Sequence, residues 1–199
     1  QSNLVKDEFN FFNPKAGLTY SMDKKQDLFF SYARANREPN RTDYENGNPK
    51  PEKLNDFELG WRFKSDKTQL NVNGFYMFYK DQLVLTGALD NVGNPIRTNV
   101  GESYRLGLEF DGVFKLAKKF SLKPNFTISE NKNKDFVYND GINLKKLGNT
   151  NIAFSPSIVA GNIISFQPAK NIELAIYTKF VGKQYLSNTK DENAKLPDY

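Results

Sequence analysis

The connections between this chain's strand-like segments alternate in length, and that alternation constrains the fold more than any other feature. The tight residues 23–26 are followed by a polar excursion over residues 36–54. Residues 64–67 are short again and residues 86–96 form a medium loop. Residues 116–119 then precede a long stretch at 131–150, and residues 167–170 precede a polar tail from Ser187. Consecutive antiparallel strands place alternate connections at opposite ends of a sheet. Every tight turn therefore lies at one end and every long loop at the other. A membrane-spanning β-barrel separates its connections in this way. A soluble two-sheet sandwich does so only when one end carries a site.

The segments themselves read as strands by period-two alternation. In residues 57–63, Phe57, Leu59, Trp61 and Phe63 alternate with Glu58, Gly60 and Arg62. Residues 104–114, 120–129 and 172–180 repeat the pattern, and residues 15–22, 27–35, 69–85 and 152–166 read as strands with less regular phase. The expectation is an all-β, antiparallel up-and-down meander of about eight strands, each roughly 9–11 residues long. That is the length a tilted strand needs to cross a bilayer. Residues 75–79 (Phe-Tyr-Met-Phe-Tyr) are bulky on both faces, which predicts a bulge or phase slip there. Trp61, Phe63, Phe114, Phe120 and Phe166 fall near the tight turns, where an aromatic girdle sits in a barrel. Arg34 shares the phase of Leu28, Phe30 and Tyr32, which places a long cation able to snorkel at the outer interface.

Composition removes several classes of function. The 199 residues contain no Cys and no His. Disulfides, thiolate metal sites and His-based triads are excluded, and no cofactor or metal is expected. The net charge is +5, but the 28 basic residues are scattered among 23 acidic ones rather than massed, so nucleic acid is not the expected partner. Mean hydropathy is -0.66 and no run approaches a spanning helix. Paired carboxylates could still do acid–base work, for example Glu109 and Asp111, which share the polar face of one strand. Charged residues are ordinary in a wet lumen, so the chain is read as a non-enzyme. Carboxylates at 43–46, 130–135 and 191–193 lack the ordered spacing of a calcium loop. Residues 1–10 contain no signal peptide. Residues 1–3 look like the scar left when a protease removes an expression tag, which leaves residues 4–199 as the folded segment.

Four stretches, in order, carry a family resemblance. Ser31-Tyr32-Ala33 leads into Arg37-Glu38-Pro39-Asn40-Arg41 and Asp43-Tyr44, then Pro49-Lys50-Pro51-Glu52-Lys53 and Phe57-Glu58-Leu59-Gly60. Phe75-Tyr76-Met77-Phe78-Tyr79-Lys80-Asp81-Gln82-Leu83 follows, then Asn99-Val100-Gly101 and Tyr104-Arg105-Leu106-Gly107-Leu108-Glu109. Together they resemble TonB-dependent outer-membrane receptors, and the loop style is similar to that of receptors of the Bacteroidetes lineage. The resemblance implies a 22-stranded barrel with a plugged lumen, of which residues 4–199 form a stretch of wall without the plug. It also implies residence in the outer membrane of a Gram-negative cell, with outer-membrane lipid around the wall. A small nutrient complex such as a ferric siderophore is the implied ligand, and TonB the implied energy source through a plug domain missing here.

On this reading residues 36–54 form an extracellular loop, partly folded over the lumen and kept out of strand pairing by Pro39, Pro49 and Pro51. Arg37, Arg41, Asp43 and Tyr44 are the expected ligand contacts, because arginine forks suit anionic complexes and tyrosine adds a flat amphipathic surface. The competing expectation is that Arg37 and Arg41 pair with Glu38, Asp43 or plug carboxylates. The alternative to the receptor is a soluble, lectin-like β-sandwich that binds carbohydrate.

Overall fold

The computed structural model describes residues 6–45, 47–90, 92–139 and 144–199. Alternating residues build β1 (Lys15–Ser21), β2 (Gln26–Arg37), β3 (Glu52–Lys64), β4 (Thr68–Leu89), β5 (Pro95–Ala117) and β6 (Phe120–Asn139). They are followed by β7 (Leu144–Asn151), β8 (Ile158–Ala169) and β9 (Ile172–Val181), and a small hairpin of β10 (Gln184–Tyr185) and β11 (Lys195–Leu196) closes the series. A one-turn helix, α1 (Arg41–Glu45), interrupts the β2–β3 connection.

The first nine strands form one antiparallel sheet in the order β1-β2-β3-β4-β5-β6-β8-β9, with β7 paired to the far part of β6. This is the expected meander. Among the described residues the other sheet is only the β10–β11 hairpin, so no second layer packs against the meander as a sandwich requires. The tight connections follow β1, β3, β5 and β8, and all lie at one end.

Register gives the sheet two unlike faces. One rung across seven strands reads Leu18–Phe30–Leu59–Gly74–Leu108–Ile128–Ile158. The adjacent rung, on the opposite face, reads Gly17–Ser31–Glu58–Phe75–Gly107–Ser129. The first face is apolar and exposed: Leu59 is 63% and Ile176 64% accessible. The second carries hydrogen bonds such as Ser31 Oγ to Glu58 Oε2 (3.2 Å). A sheet with a bare apolar face and a wet polar one is the wall of a membrane barrel.

Aromatic pairs mark both borders of the apolar band. Trp61 and Phe63 lie 6.1 Å apart and Phe120 and Phe166 4.4 Å apart at the tight-turn side. At the loop side Tyr32 meets Phe57 at 5.0 Å and Tyr76 meets Tyr104 at 6.4 Å. Tyr104 and Phe114 are ten residues apart on β5. At about 3.4 Å per residue and a tilt of about 40°, that spacing spans a height of ~26 Å, against ~25 Å for the lipid-facing band of such barrels. Arg34 stands just outside this band, paired with Asn55.

Several expectations need correction. The long loop expected over residues 131–150 is not found in its described parts, 131–139 and 144–150: β6 continues to Asn139 and β7 pairs back on it, while residues 140–143 lie outside the described residues. These polar residues extend the ladder because they stand above the apolar band, where backbone pairing needs no apolar face. β4 and β5 likewise run through most of residues 86–96, reaching 22 and 23 residues. The β2–β3 connection shrinks to residues 38–51 and contains α1. The strand expected over 152–166 begins at Ile158, after an irregular stretch in which Phe154 has φ 53°. The bulge expected at 75–79 is absent, and register runs unbroken through it. Glycines make the room: the Phe75 ring covers Gly107 on the polar face, and Phe29 covers Gly60 in the same way. The Arg62 guanidinium lies 4.1 Å over that Phe29 ring.

The one cluster of buried apolar side chains in the described residues is Val84, Val100 and Phe136, with Leu147 against it. It sits on the tall strands beyond the band. A side chain at Gly107 would meet the Phe75 ring at 2.6 Å and the Ile128 carbonyl at 2.5 Å, whereas one at Gly101 would meet nothing within 4 Å. In full-length protein folded in detergent, Gly107→Val should therefore lower unfolding free energy by roughly 1–3 kcal/mol, the cost of overpacking. Gly101→Ala should leave the urea midpoint unchanged.

Candidate functional site

Residues 38–51 at the loop end are held by side-chain fastenings, of which three among the described residues reach the neighbouring strands. Asn40 and Asp43 form a capping box that explains why four polar residues start a helix here. Asp43 N donates to Asn40 Oδ1 (3.0 Å) and Asn40 N donates to Asp43 Oδ2 (2.9 Å). Asp43 is only 5% accessible, and its remaining oxygen lies 3.8 Å from Arg97 Nη1 on β5. The charge that the cap buries is thus answered by a cation on the neighbouring hairpin.

The second fastening lies on the last rung of β2 and β3. Arg37 Nε sits 2.7 Å from Glu52 Oε2, and the other Glu52 oxygen accepts from Leu83 N on β4. Arg37 therefore pairs with Glu52, rather than with Glu38 or Asp43. Its side chain remains 54% exposed. The third fastening is the Asn99 amide. Asn99 Oδ1 accepts from Lys50 N (2.7 Å), while its Nδ2 donates to Lys50 O (2.9 Å) and to Asp81 O (2.6 Å). Asp81 has φ 56°, a conformation that turns its carbonyl out of the ladder toward this partner.

Of the four sequence-predicted residues, Arg41, Asp43 and Tyr44 lie on α1 in the braced loop, and Arg37 is the last residue of β2 beside it. Arg41 is exposed on α1. Tyr44 Oη donates to Asp7 Oδ2 at 2.7 Å. Desolvation of the hydroxyl, then the bond and charge of Asp7, push the Tyr44 phenol up to about 12. Glu52, Arg97 and Asn99 were not among the sequence candidates. Glu52 and Asn99 did stand in the quoted Lys-Pro-Glu and Asn-Val-Gly motifs, whereas Arg97 had no local signal.

A second node ties the tail to the same end. Asn188, 1% accessible, accepts from Asn133 Nδ2 (3.0 Å) and Ala153 N (2.9 Å), and donates to Leu85 O (2.6 Å). No group of three metal-ligating side chains occurs among the described residues.

A single sheet with lipid-suited and wet faces, tight turns at one end and braced loops at the other, defines a wall segment of a membrane β-barrel. The chain belongs to the family of TonB-dependent receptor β-barrels: the profile described as "TonB dependent receptor-like, beta-barrel" matches residues 2–199. No curated protein sequence matches it. Among solved structures it is similar to a mutant of the ferric enterobactin receptor PfeA from Pseudomonas aeruginosa, at TM-score 0.71 and 18% identity over 94% of this chain and 31% of that one. It is also similar to the siderophore receptor PiuA from Acinetobacter baumannii (TM-score 0.70, 18% identity, 93% and 28% covered). The copper transporter OprC gives TM-score 0.71 at 14% identity, with 93% and 29% covered. The chain spans less than a third of the length of these structures. Members of the family reside in the outer membrane of Gram-negative bacteria and act as transporters and receptors.

Two measurements test the brace. Asn99→Ala removes three hydrogen bonds and should weaken the local closure of residues 38–51 by about 1–3 kcal/mol. Faster protease cleavage and hydrogen exchange at the loop, with the barrel still folded, is the expected result. The Tyr44 bond is formed in the neutral phenol, whose pKa is raised on folding. Its contribution is fully present below pH 10 and lost as pH rises through about 12. A phenolate absorbance titration should lose its highest step in Tyr44→Phe.

Proposed function

We propose that this segment supplies wall and outer loops to a receptor that captures an external nutrient complex, a ferric siderophore or a similar chelate. The parent protein passes that complex inward with TonB-supplied energy acting through a plug domain. The segment itself performs no chemistry. The observation that carries the reading is the braced loop: Arg37 and Arg41 stand on its exposed side, while Asp43 and Glu52 hold it from behind. An arginine whose base is fixed presents its donors to an anionic ligand with less entropy to lose. Tyr44 adds an aromatic surface beside them, and Asp43 serves the contact by fixing α1. The iron-siderophore subjects of several similar structures support this ligand class.

The test is uptake of radiolabelled iron by cells carrying the full-length receptor, supplied as ferric enterobactin and related catecholates. Arg37→Ala with Arg41→Ala should leave surface abundance unchanged, because neither residue faces lipid. Affinity should fall by roughly 1.5–3 kcal/mol for each charge-assisted hydrogen bond lost. Arg41→Ala alone leaves the Arg37–Glu52 pair intact and reports the share of the α1 arginine. Unchanged uptake in both variants at matched abundance overturns the assignment of these arginines.

A further inference from the structure

The tight-turn end carries a concentration of charge that recognition at the other end does not use. Residues 22–25, 64–67, 115–119 and 167–171 contain eight lysines against two aspartates, in a chain whose charges are otherwise nearly balanced. Lys24, Lys25, Lys64 and Lys67 are all exposed, as are the lysines of the two later turns. Asp23 spends its carboxylate inside its own turn, accepting from Lys25 N (2.7 Å) and Gln26 Nε2 (2.8 Å).

The backbone spaces these turns regularly. Lys64 N donates to Lys25 O, Lys115 N to Lys67 O and Gln167 N to Lys119 O, each at 2.8 Å. Each turn is thereby tied to the next, and the lysines form a continuous row rather than four independent tips. The row borders the aromatic girdle directly: Lys64 follows Phe63, Lys115 follows Phe114 and Lys119 precedes Phe120. Aromatic side chains at this border mark the headgroup level of a bilayer, so the ammonium groups stand where phosphates lie. Between the first two turns is an open cleft of about 550 Å³, lined by Lys24, Lys25, Lys64, Ser65, Asp66 and Lys67.

We propose that this rim binds the anionic headgroups of phospholipids, with the four-lysine cleft as its strongest site. The inference rests on the membrane reading above. A row at one height, following the wall and bordering its apolar band, fits a lipid surface better than a compact soluble anion. Each lysine near such a surface contributes about fivefold, the factor equivalent to ~1 kcal/mol. The contacts fasten the turn end of the wall at a fixed depth.

The test uses the full-length receptor in detergent, incubated with an equimolar mixture of phosphatidylglycerol and phosphatidylcholine and read by native mass spectrometry. Wild type should retain phosphatidylglycerol at least tenfold in preference, and that preference should collapse between 50 and 500 mM salt, roughly as screening shortens. Lys24→Gln, Lys25→Gln, Lys64→Gln and Lys67→Gln together should remove most of it. Lys53→Gln with Lys80→Gln, at the opposite end, should not. Equal retention of both lipids by wild type, or equal loss in both variants, overturns the proposal. Displacement of the lipid by millimolar inorganic phosphate also overturns it, by making the cleft a free-anion site. Should the fourfold variant fail to fold, the salt titration of wild type still decides. No siderophore enters this experiment, so a failure of the uptake test leaves its outcome readable.

Discussion

Each strand of this sheet depends on its neighbours for its backbone hydrogen bonds, and a hydrocarbon slab supplies no other partner. That requirement explains why the ladder runs through eight strands in sequence order, and why the shifts along that path occur near strand ends. Those in mid-strand are confined to the β6–β7 pairing beyond the apolar band. It also makes register decisive, because a slip of one residue would exchange the two faces. Leu59 and Glu58 illustrate the stakes, since adjacent positions on β3 face lipid and water respectively. The polar face then has to accept bulky aromatics without breaking the ladder. Gly60 beneath Phe29 and Gly107 beneath Phe75 meet that demand.

Beyond the apolar band the same ladder takes on a second task. β4, β5 and β6 continue upward, and Val84, Val100 and Phe136 pack together on them with Leu147 of β7 against the cluster. These tall strands act as posts for residues 38–51. Arg97 and Asn99 on β5, with Leu83 on β4, hold residues 38–51 by side-chain and backbone contacts. Asn188 brings the tail to the same posts. The loop is consequently placed by rigid elements, which is the arrangement a binding surface needs. At the opposite end the turns are too short to carry such structure, and charge is what distinguishes them.

The architecture was legible in the sequence because membrane barrels impose two periodic constraints, side-chain alternation and loop sorting, that survive without any alignment. Phe57 to Phe63 displayed the first and the series of Lys-containing turns the second. The candidate site was legible only in part. Arg37, Arg41, Asp43 and Tyr44 were visible as a cluster of ligand-suited groups on one loop. Their supports were not, because Arg97 and Asn99 lie more than fifty residues further along the chain.

By itself, then, the sequence determined the faces, the strand order and which end carries the long connections, since each follows from local period or from the spacing of turns. Tertiary structure alone decided how far the strands extend and what the polar stretches become. Residues 131–139 have no apolar face to announce a strand, yet they pair because β7 and β5 present free backbone groups beside them. Asp43 likewise reads as a surface carboxylate from its neighbours in sequence. It becomes a buried cap only because the loop folds back onto β5, where Arg97 compensates its charge. Local period specifies which way a side chain points; only the assembled sheet specifies what it meets.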